Sequence, residues 1–381
     1  MELIPNNYHK KILSYIYSQK KVTKVQLSKY IDVTIPTVTL YLNELVKIGL
    51  IKESGVINSE SGRKPVIFEV NSENIYTIGI EIRQETLTLI ILNLNLCTMY
   101  KLKEKYNINN LEEELKNIIY KSIVHSKITI DQILGIGIAF PGIVNDRKLK
   151  LEESPIVNIK DYSLEGLKET FKMPIYIGNE ADYAAYAENF IGSSKQYRNS
   201  IYLSIYEGIG GGIIMENSIY SGSLQHAGEI GHMVIDYKGR QCECGRKGCW
   251  DKYVSSKIID KLIKENNLKG LDELIDIYEK KSNNNIFNQM NEYFDYLATG
   301  IMNLFLIFDL DCVIVGGIWA PYENKIKPIL IEKIKKENCK LGKNSEKIIF
   351  PKLLTKASAI GAGIIPFSNI YDFNLILRGM E

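Results

Sequence analysis

Cys242 and Cys244 are separated by one residue, Cys249 follows after four more, and His232 lies ten positions upstream of Cys242. Three thiolates and an imidazole complete the tetrahedral shell that zinc takes. A closed Cys3His shell leaves no position for a catalytic water, so this spacing predicts a structural zinc ion held by His232, Cys242, Cys244 and Cys249. Gly245 and Gly248 supply turn residues between these ligands. Three clustered cysteines among six fit a reducing compartment better than a disulfide framework. Cys97, Cys312 and Cys339 are isolated and read as core residues.

A second chemistry is concentrated in the first 70 residues. They hold ten Lys and Arg against six Asp and Glu, a net of +4, while the whole chain carries only +2. The weak overall charge argues against indiscriminate nucleic-acid binding, and the local excess suits a DNA-binding module joined to a near-neutral body. The pattern predicts a helix from about Tyr8 to Ser18, then a second helix through Tyr30 opened by a capping box of Thr23 and Gln26. After a turn at Asp32 and Val33, Thr34 caps a third helix, with Pro36 in its first turn. Val38, Leu42, Leu45 and Ile48 recur there at helical spacing until Gly49. Leu50 to Ser54 and Val66 to Val70 then alternate as two strands around a polar tip, which completes a winged helix-turn-helix. The third helix is expected in the major groove, presenting Thr34, Thr37, Thr39, Leu40 and Asn43, with Lys47 on a phosphate. Arg63 and Lys64 on the wing suit backbone or minor-groove contact. Small helical triads with a hairpin also dock proteins, but the capped spacing and the basic excess favour operator DNA.

From Ile75 onward, strands and helices alternate. Ile75 to Ile82 and Leu87 to Leu94 read as paired strands, Leu111 to Ser126 as a helix, and Ile133 to Ala139 and Pro174 to Ile177 as strands. A helix from about Asp182 to Phe190 follows. Ile201 to Tyr206 and Gly212 to Met215 read as strands around a glycine-rich turn, and Val313 to Val315 is a strand leading to Gly316 and Gly317. This order predicts an α/β protein. A DNA-binding domain over 1–72 precedes an α/β domain over 73–381. Its first lobe spans about 73–190 together with a C-terminal helix over about 357–381, and its second spans about 191–356. No apolar run reaches the roughly 18 residues of a spanning helix, and Met1 to Lys10 lacks a secretory pattern, so a cytoplasmic protein without membrane contact is expected.

Several stretches, in order, resemble the ROK family (repressor, open reading frame, kinase) over nearly the whole chain. They are Gly62-Arg63-Lys64-Pro65, Gly135-Ile136-Gly137-Ile138-Ala139-Phe140-Pro141-Gly142, Gly178-Asn179-Glu180-Ala181 and Gly208-Ile209-Gly210-Gly211-Gly212. His226-Ala227-Gly228-Glu229-Ile230-Gly231-His232-Met233 and Cys242-Glu243-Cys244-Gly245-Arg246-Lys247-Gly248-Cys249 follow, and these last two are the most specific. The resemblance implies a winged helix-turn-helix followed by a two-lobed, actin-like, sugar-kinase-like domain. In the resembling kinases the histidine of the Glu-x-Gly-His motif binds zinc and faces the sugar. Carried over, Asn179, Glu180, Glu229, His232 and Asp251 would hold sugar hydroxyls, with Asp251 standing where the family has a longer glutamate. Taken singly, Asn179 and Glu229 also read as a helix cap and a solvated surface group.

The same resemblance bears on catalysis. ROK kinases hold ATP phosphates with Asp-x-Gly-Gly-Thr after the first strand, where this chain has Glu81-Ile82-Arg83-Gln84-Glu85, and their catalytic aspartate is here Glu180. No catalytic residue and no nucleotide cofactor are therefore expected. The glycines at 210–212 and 316–317 read as remnants of a nucleotide cleft or as tight turns. Asn179-Glu180-Ala181 and the fused winged helix resemble the xylose-repressor branch, which ranks xylose ahead of glucose and N-acetylglucosamine. The function expected is a sugar-responsive transcriptional repressor, a homodimer on a pseudo-palindromic operator that a sugar entering between the lobes releases. A sugar kinase with a fused DNA-binding domain is the alternative, distinguished by ATP turnover. A repressor governed by a protein partner is a third reading, distinguished by operator release that ignores sugar.

Overall fold

Polar caps set the first two helices in the computed structural model, which describes residue 4 and residues 6–56, 65–336 and 347–378. The Asn6 carboxamide accepts from the Tyr8 and His9 backbone N–H groups at 2.9 and 3.3 Å and opens α1 (Asn7–Gln19). Thr23 and Gln26 form the predicted reciprocal box at the start of α2 (Lys24–Ile31), which a left-handed Asp32 ends. Thr34 precedes α3 (Ile35–Lys47) but does not cap it through its side chain: its hydroxyl lies 2.9 Å from that of Thr37. Val38, Leu42 and Leu45 are fully buried against the small helical core, whereas Ile48 is half-buried at the helix end. The strands are β1 (Val22–Thr23), β2 (Ile51–Val56) and β3 (Val66–Val70), paired antiparallel in the order β1-β3-β2. Two residues are too short a run for a period-two pattern, so β1 was invisible in the sequence. Arg63 and Lys64 lie outside the described residues.

The chain divides into two compact units, Met1–Glu180 with Ser358–Glu381, and Ala181–Ala357. Beyond the winged helix, the first unit contains β4 (Tyr76–Ile82), β5 (Thr86–Asn93), β6 (Thr98–Lys105), α4 (Leu111–Ser126), β7 (Ile133–Phe140), β8 (Ile143–Asn145), β9 (Lys150–Ser154), β10 (Ile159–Ser163), α5 (Glu165–Phe171) and β11 (Ile175–Asn179). Five strands form a sheet in the order β11-β7-β4-β5-β6, parallel across the first three and antiparallel beyond. No hydrophobic period marks β6, a charged edge strand that keeps solvent on one face.

Glycine and isoleucine alternate in β4 and β7 because the two sheet faces have different neighbours. Ile78, Ile80, Ile136 and Ile138 enter an aliphatic core with Leu115, Ile118 and Ile119 of α4. On the other face α12 (Ala357–Ile364) lies directly on the strands: a Cβ at Gly79 or Gly137 would stand 2.0 Å from the carbonyl oxygen of Ala359 or Ala362. A single C-terminal helix over about 357–381 does not form. Pro366, lacking an N–H, sits in a 3-10 turn over Ile365–Asn369, and α13 (Phe373–Arg378) follows. This segment docks on α1, where Ser14 Oγ accepts from the Asp372 N–H at 2.7 Å and the Tyr17 and Tyr371 rings lie 5.1 Å apart.

The second unit takes up α6 (Glu180–Ile191) from Ala181 onward, then β12 (Ser200–Ile205), β13 (Ile209–Met215), β14 (Ser218–Ile219), α7 (Asp251–Val254), α8 (Ser256–Glu265), α9 (Leu271–Lys280), α10 (Asn284–Phe308), β15 (Cys312–Val315), α11 (Glu323–Lys336) and β16 (Ile348–Ile349). Its sheet runs β14-β13-β12-β15-β16. The expected glycine-rich turn at 210–212 is instead the body of β13, and the turn falls at Tyr206 to Gly208. Glycine is required at 212 because a Cβ there would stand 2.0 Å from the Ala181 carbonyl oxygen. Trp250 and Trp319 are fully buried against α10, and their indole N–H groups donate to the Tyr296 carbonyl and the Tyr293 hydroxyl, both at 2.9 Å.

The close approach of α12 makes a definite prediction. Gly137→Ala should lower the stability of the chain by about 1–3 kcal/mol through overpacking. Gly270→Ala, whose Cβ meets nothing within 4 Å, should change it little. Urea denaturation of both variants checks this, and equal stabilities would contradict it.

Candidate metal centre, sugar groups and nucleic-acid interface

The metal candidates converge as their spacing predicts. One ligand atom from each of His232, Cys242, Cys244 and Cys249 lies within 4.8 Å of all the others. Cys242 Sγ is 3.6 Å from His232 Nδ1, and Cys244 Sγ is 3.6 Å from Cys249 Sγ. Bonds of about 2.3 Å from a tetrahedral ion put its sulfurs about 3.8 Å apart, so the cage already has nearly the size such an ion needs. Local backbone geometry builds it. A 3-10 turn over Ile230–His232 presents the imidazole, a bridge pairs Val234 with Cys249, and the Cys242 N–H donates to the Arg246 carbonyl at 2.9 Å across a turn through Gly245 at φ +87°. Hydrogen bonding to the Arg246 backbone N–H lowers the Cys244 thiol, whereas burial pushes the Cys249 thiol up to about 12. Of the isolated cysteines, Cys312 is buried, but Cys97 is exposed in the turn after β5, which corrects its core reading; Cys339 lies outside the described residues.

The five expected sugar groups divide between the two units, Asn179 and Glu180 in the first and Glu229, His232 and Asp251 in the second. Asn179 ends β11, half-buried, and donates to the Gly142 carbonyl at 2.9 Å. Glu180 follows it, its carbonyl accepting from the Ser358 hydroxyl at 3.0 Å. Exposed Glu229 and half-buried His232 line a cavity of about 720 Å³ with Tyr220, His226, Arg246 and Phe308, so the second unit brings these two groups together. Asp251 does not line that cavity. It starts α7, accepts from the Ile209 N–H at 2.9 Å and lies 3.7 Å from the Lys252 ammonium. Burial raises its pKa above the usual carboxylate range, with Lys252 opposing. At the position of the expected phosphate loop, β4 and β5 join through a short hairpin. The Arg83 guanidinium lies 2.5 Å from the buried Glu81 carboxylate.

On α3, Thr34, Asn43 and Lys47 are exposed and Thr37 and Thr39 half-buried. The Thr39 hydroxyl donates back to the Ile35 carbonyl at 2.9 Å. The helix is held from below by a pair with no local signal, because its members are 35 residues apart: buried His9 Nε2 lies 2.5 Å from Glu44 Oε2, and His9 Nδ1 lies 2.9 Å from the Asn6 carboxamide oxygen.

A cage of three thiols that takes up a metal ion must release protons. The purified chain should bind about one Co²⁺ or Zn²⁺ per molecule, more tightly at about pH 8 than at about pH 6, because the buried Cys249 thiol has to ionise. Cys249→Ser should abolish the uptake. Metal titration followed by absorbance checks both statements, and unchanged uptake by the variant would remove Cys249 from the shell.

Comparison with known proteins bears on both modules. The ROK family model matches residues 77–366, and a winged helix-turn-helix DNA-binding model matches residues 5–52. A xylose repressor of Bacillus spizizenii is 30% identical over 370 residues, covering 95% of each chain. The DNA-binding transcriptional dual regulator NagC of Escherichia coli is 26% identical over 247 residues, 64% of this chain and 61% of that protein. Among solved structures, a ROK family transcriptional regulator titled a homolog of the E. coli MLC protein superposes with a TM-score of 0.80 at 21% identity, over 98% of this chain and 99% of that one, a likeness of fold. With most of its length matched and both modules in order, the chain belongs to the ROK family, with a winged helix-turn-helix at its N-terminal end.

Proposed function

We infer that the chain is a sugar-responsive transcriptional repressor. One observation carries the reading: a winged helix-turn-helix and a ROK domain stand in one chain that aligns with a xylose repressor over 95% of both lengths. Residues 1–72 read operator DNA, with Thr34, Thr37, Thr39, Asn43 and Lys47 on the reading helix and Arg63 and Lys64 on the wing. Residues 73–381 answer to the sugar. The inducer is xylose, its hydroxyls bound by Asn179, Glu180, Glu229, His232 and Asp251. The metal is zinc, which fixes His232 and with it one wall of the Glu229 cavity. Its role is structural because the Cys3His set leaves no open coordination position. The active species is a cytoplasmic homodimer, matching the two-fold symmetry of an operator.

The chain transfers no phosphoryl group on this reading. Phosphoryl transfer depends on positioning and on charge neutralisation at the phosphates. Where the family's kinases place glycines, this chain has the Arg83 side chain paired with Glu81, followed by Gln84 and Glu85. Glutamate at 180 in place of the family's aspartate displaces a base by about one methylene, and misplacement on the order of 1 Å costs about a hundredfold.

Fluorescence anisotropy on a duplex that the chain selects from a random pool tests the function. Xylose should release the duplex from the wild type, and Glu229→Ala should need about tenfold more sugar. No ADP should form in a coupled assay with ATP and any pentose or hexose. Steady ADP production by the wild type would overturn the repressor-only reading, and release by no sugar would remove the sugar response. Turnover confined to Glu180→Asp would assign the loss of activity to the base, not to the phosphate loop.

A further inference from the structure

Leu40 is 56% exposed, although the other leucines of α3, Leu42 and Leu45, are fully buried. An exposed leucine alone is ordinary. Its position is not. Pro36, Leu40, Asn43 and Lys47 recur at i, i+4, i+7 and i+11, which places them on one stripe of the helix. All four are exposed, and the stripe lies opposite the buried side formed by Val38, Leu42 and Leu45. The short polar side chains near it are engaged locally: the Thr34 and Thr37 hydroxyls are 2.9 Å from each other, and Thr39 donates to the Ile35 carbonyl. The centre of the face that α3 turns away from its own core is therefore an aliphatic group, flanked by an amide and a cation.

In the major groove a base pair displays hydrogen-bond donors and acceptors and a single apolar feature, the C5-methyl group of thymine. A leucine set there cannot satisfy a donor or an acceptor. It gains by covering a methyl and loses by desolvating a polar edge. We propose that Leu40 is a specificity-determining residue that reads a thymine 5-methyl group in each operator half-site. This rests on the DNA-binding reading above and adds a defined chemical preference to it.

The test uses the full-length chain and a duplex it enriches from a random pool. Each thymine is replaced in turn by deoxyuridine, which removes the methyl and keeps every hydrogen-bonding group. One thymine per half-site should then prove sensitive, with the wild type losing about fourfold in affinity for each methyl removed, the worth of one buried carbon group. Leu40→Ala, an exposed substitution by a good helix former, should bind the thymine and deoxyuridine duplexes equally, its fold checked by circular dichroism. The proposal fails if no thymine position is sensitive, or if Leu40→Ala keeps the same sensitivity as the wild type. If the chain enriches no duplex at all, the DNA-binding reading fails and takes the proposal with it.

Discussion

Three thiol sulfurs and an imidazole nitrogen within 4.8 Å of one another are the constraint on which the geometry around His232 in the second unit depends. Hydrophobic burial does little to hold the segment from Asp236 to Lys247: Tyr237 is 87% exposed, and Cys242 is the only buried residue along it. Backbone turns, two isolated bridges, the contacts of Asp236 and Arg240 with Tyr253 and the convergence of three thiols with an imidazole shape it. With its proton retained, Cys249 is a buried thiol among other sulfurs. With a cation in the cage, the same four side chains become a rigid corner. His232 belongs to that corner and also lines the cavity with Glu229, so any group bound in the cavity meets a wall set by the cage.

The winged helix depends on a different device. Three buried aliphatic residues, Val38, Leu42 and Leu45, seat α3, and the His9 to Glu44 contact fixes its lower side. Further along, α1 meets the chain's C-terminal segment through Ser14, Tyr17, Tyr371 and Asp372, and the Tyr371 hydroxyl donates to the Leu94 carbonyl at 2.8 Å. α3 is therefore tied, by packed and hydrogen-bonded side chains, to the sheet of the first unit.

Local signals made much of this legible in the sequence. The Thr23 and Gln26 box, the period of Val38, Leu42 and Leu45 and the cysteine spacing each depend on residues close together in the chain, and each formed as read. What escaped depends on distant neighbours. Gly210 to Gly212 looked like a turn because glycine permits turns, yet Gly212 is glycine because the Ala181 carbonyl leaves no room for a Cβ. The His9 to Glu44 pair and the junction of α1 with Tyr371 and Asp372 join residues far apart in sequence, and β1 is too short to show a pattern. Residue type alone places Cys97 in the core, whereas its place in the turn after β5 exposes it.

In the proposed repressor a DNA-reading end and a sugar-responsive end share one molecule, and thermodynamic linkage makes their coupling measurable from either side. Isothermal titration of xylose into the free chain and into its complex with the selected duplex tests it most directly. The account predicts that bound DNA weakens xylose by the same factor by which xylose weakens DNA, roughly 5- to 150-fold. A xylose affinity that is identical with and without DNA would contradict it.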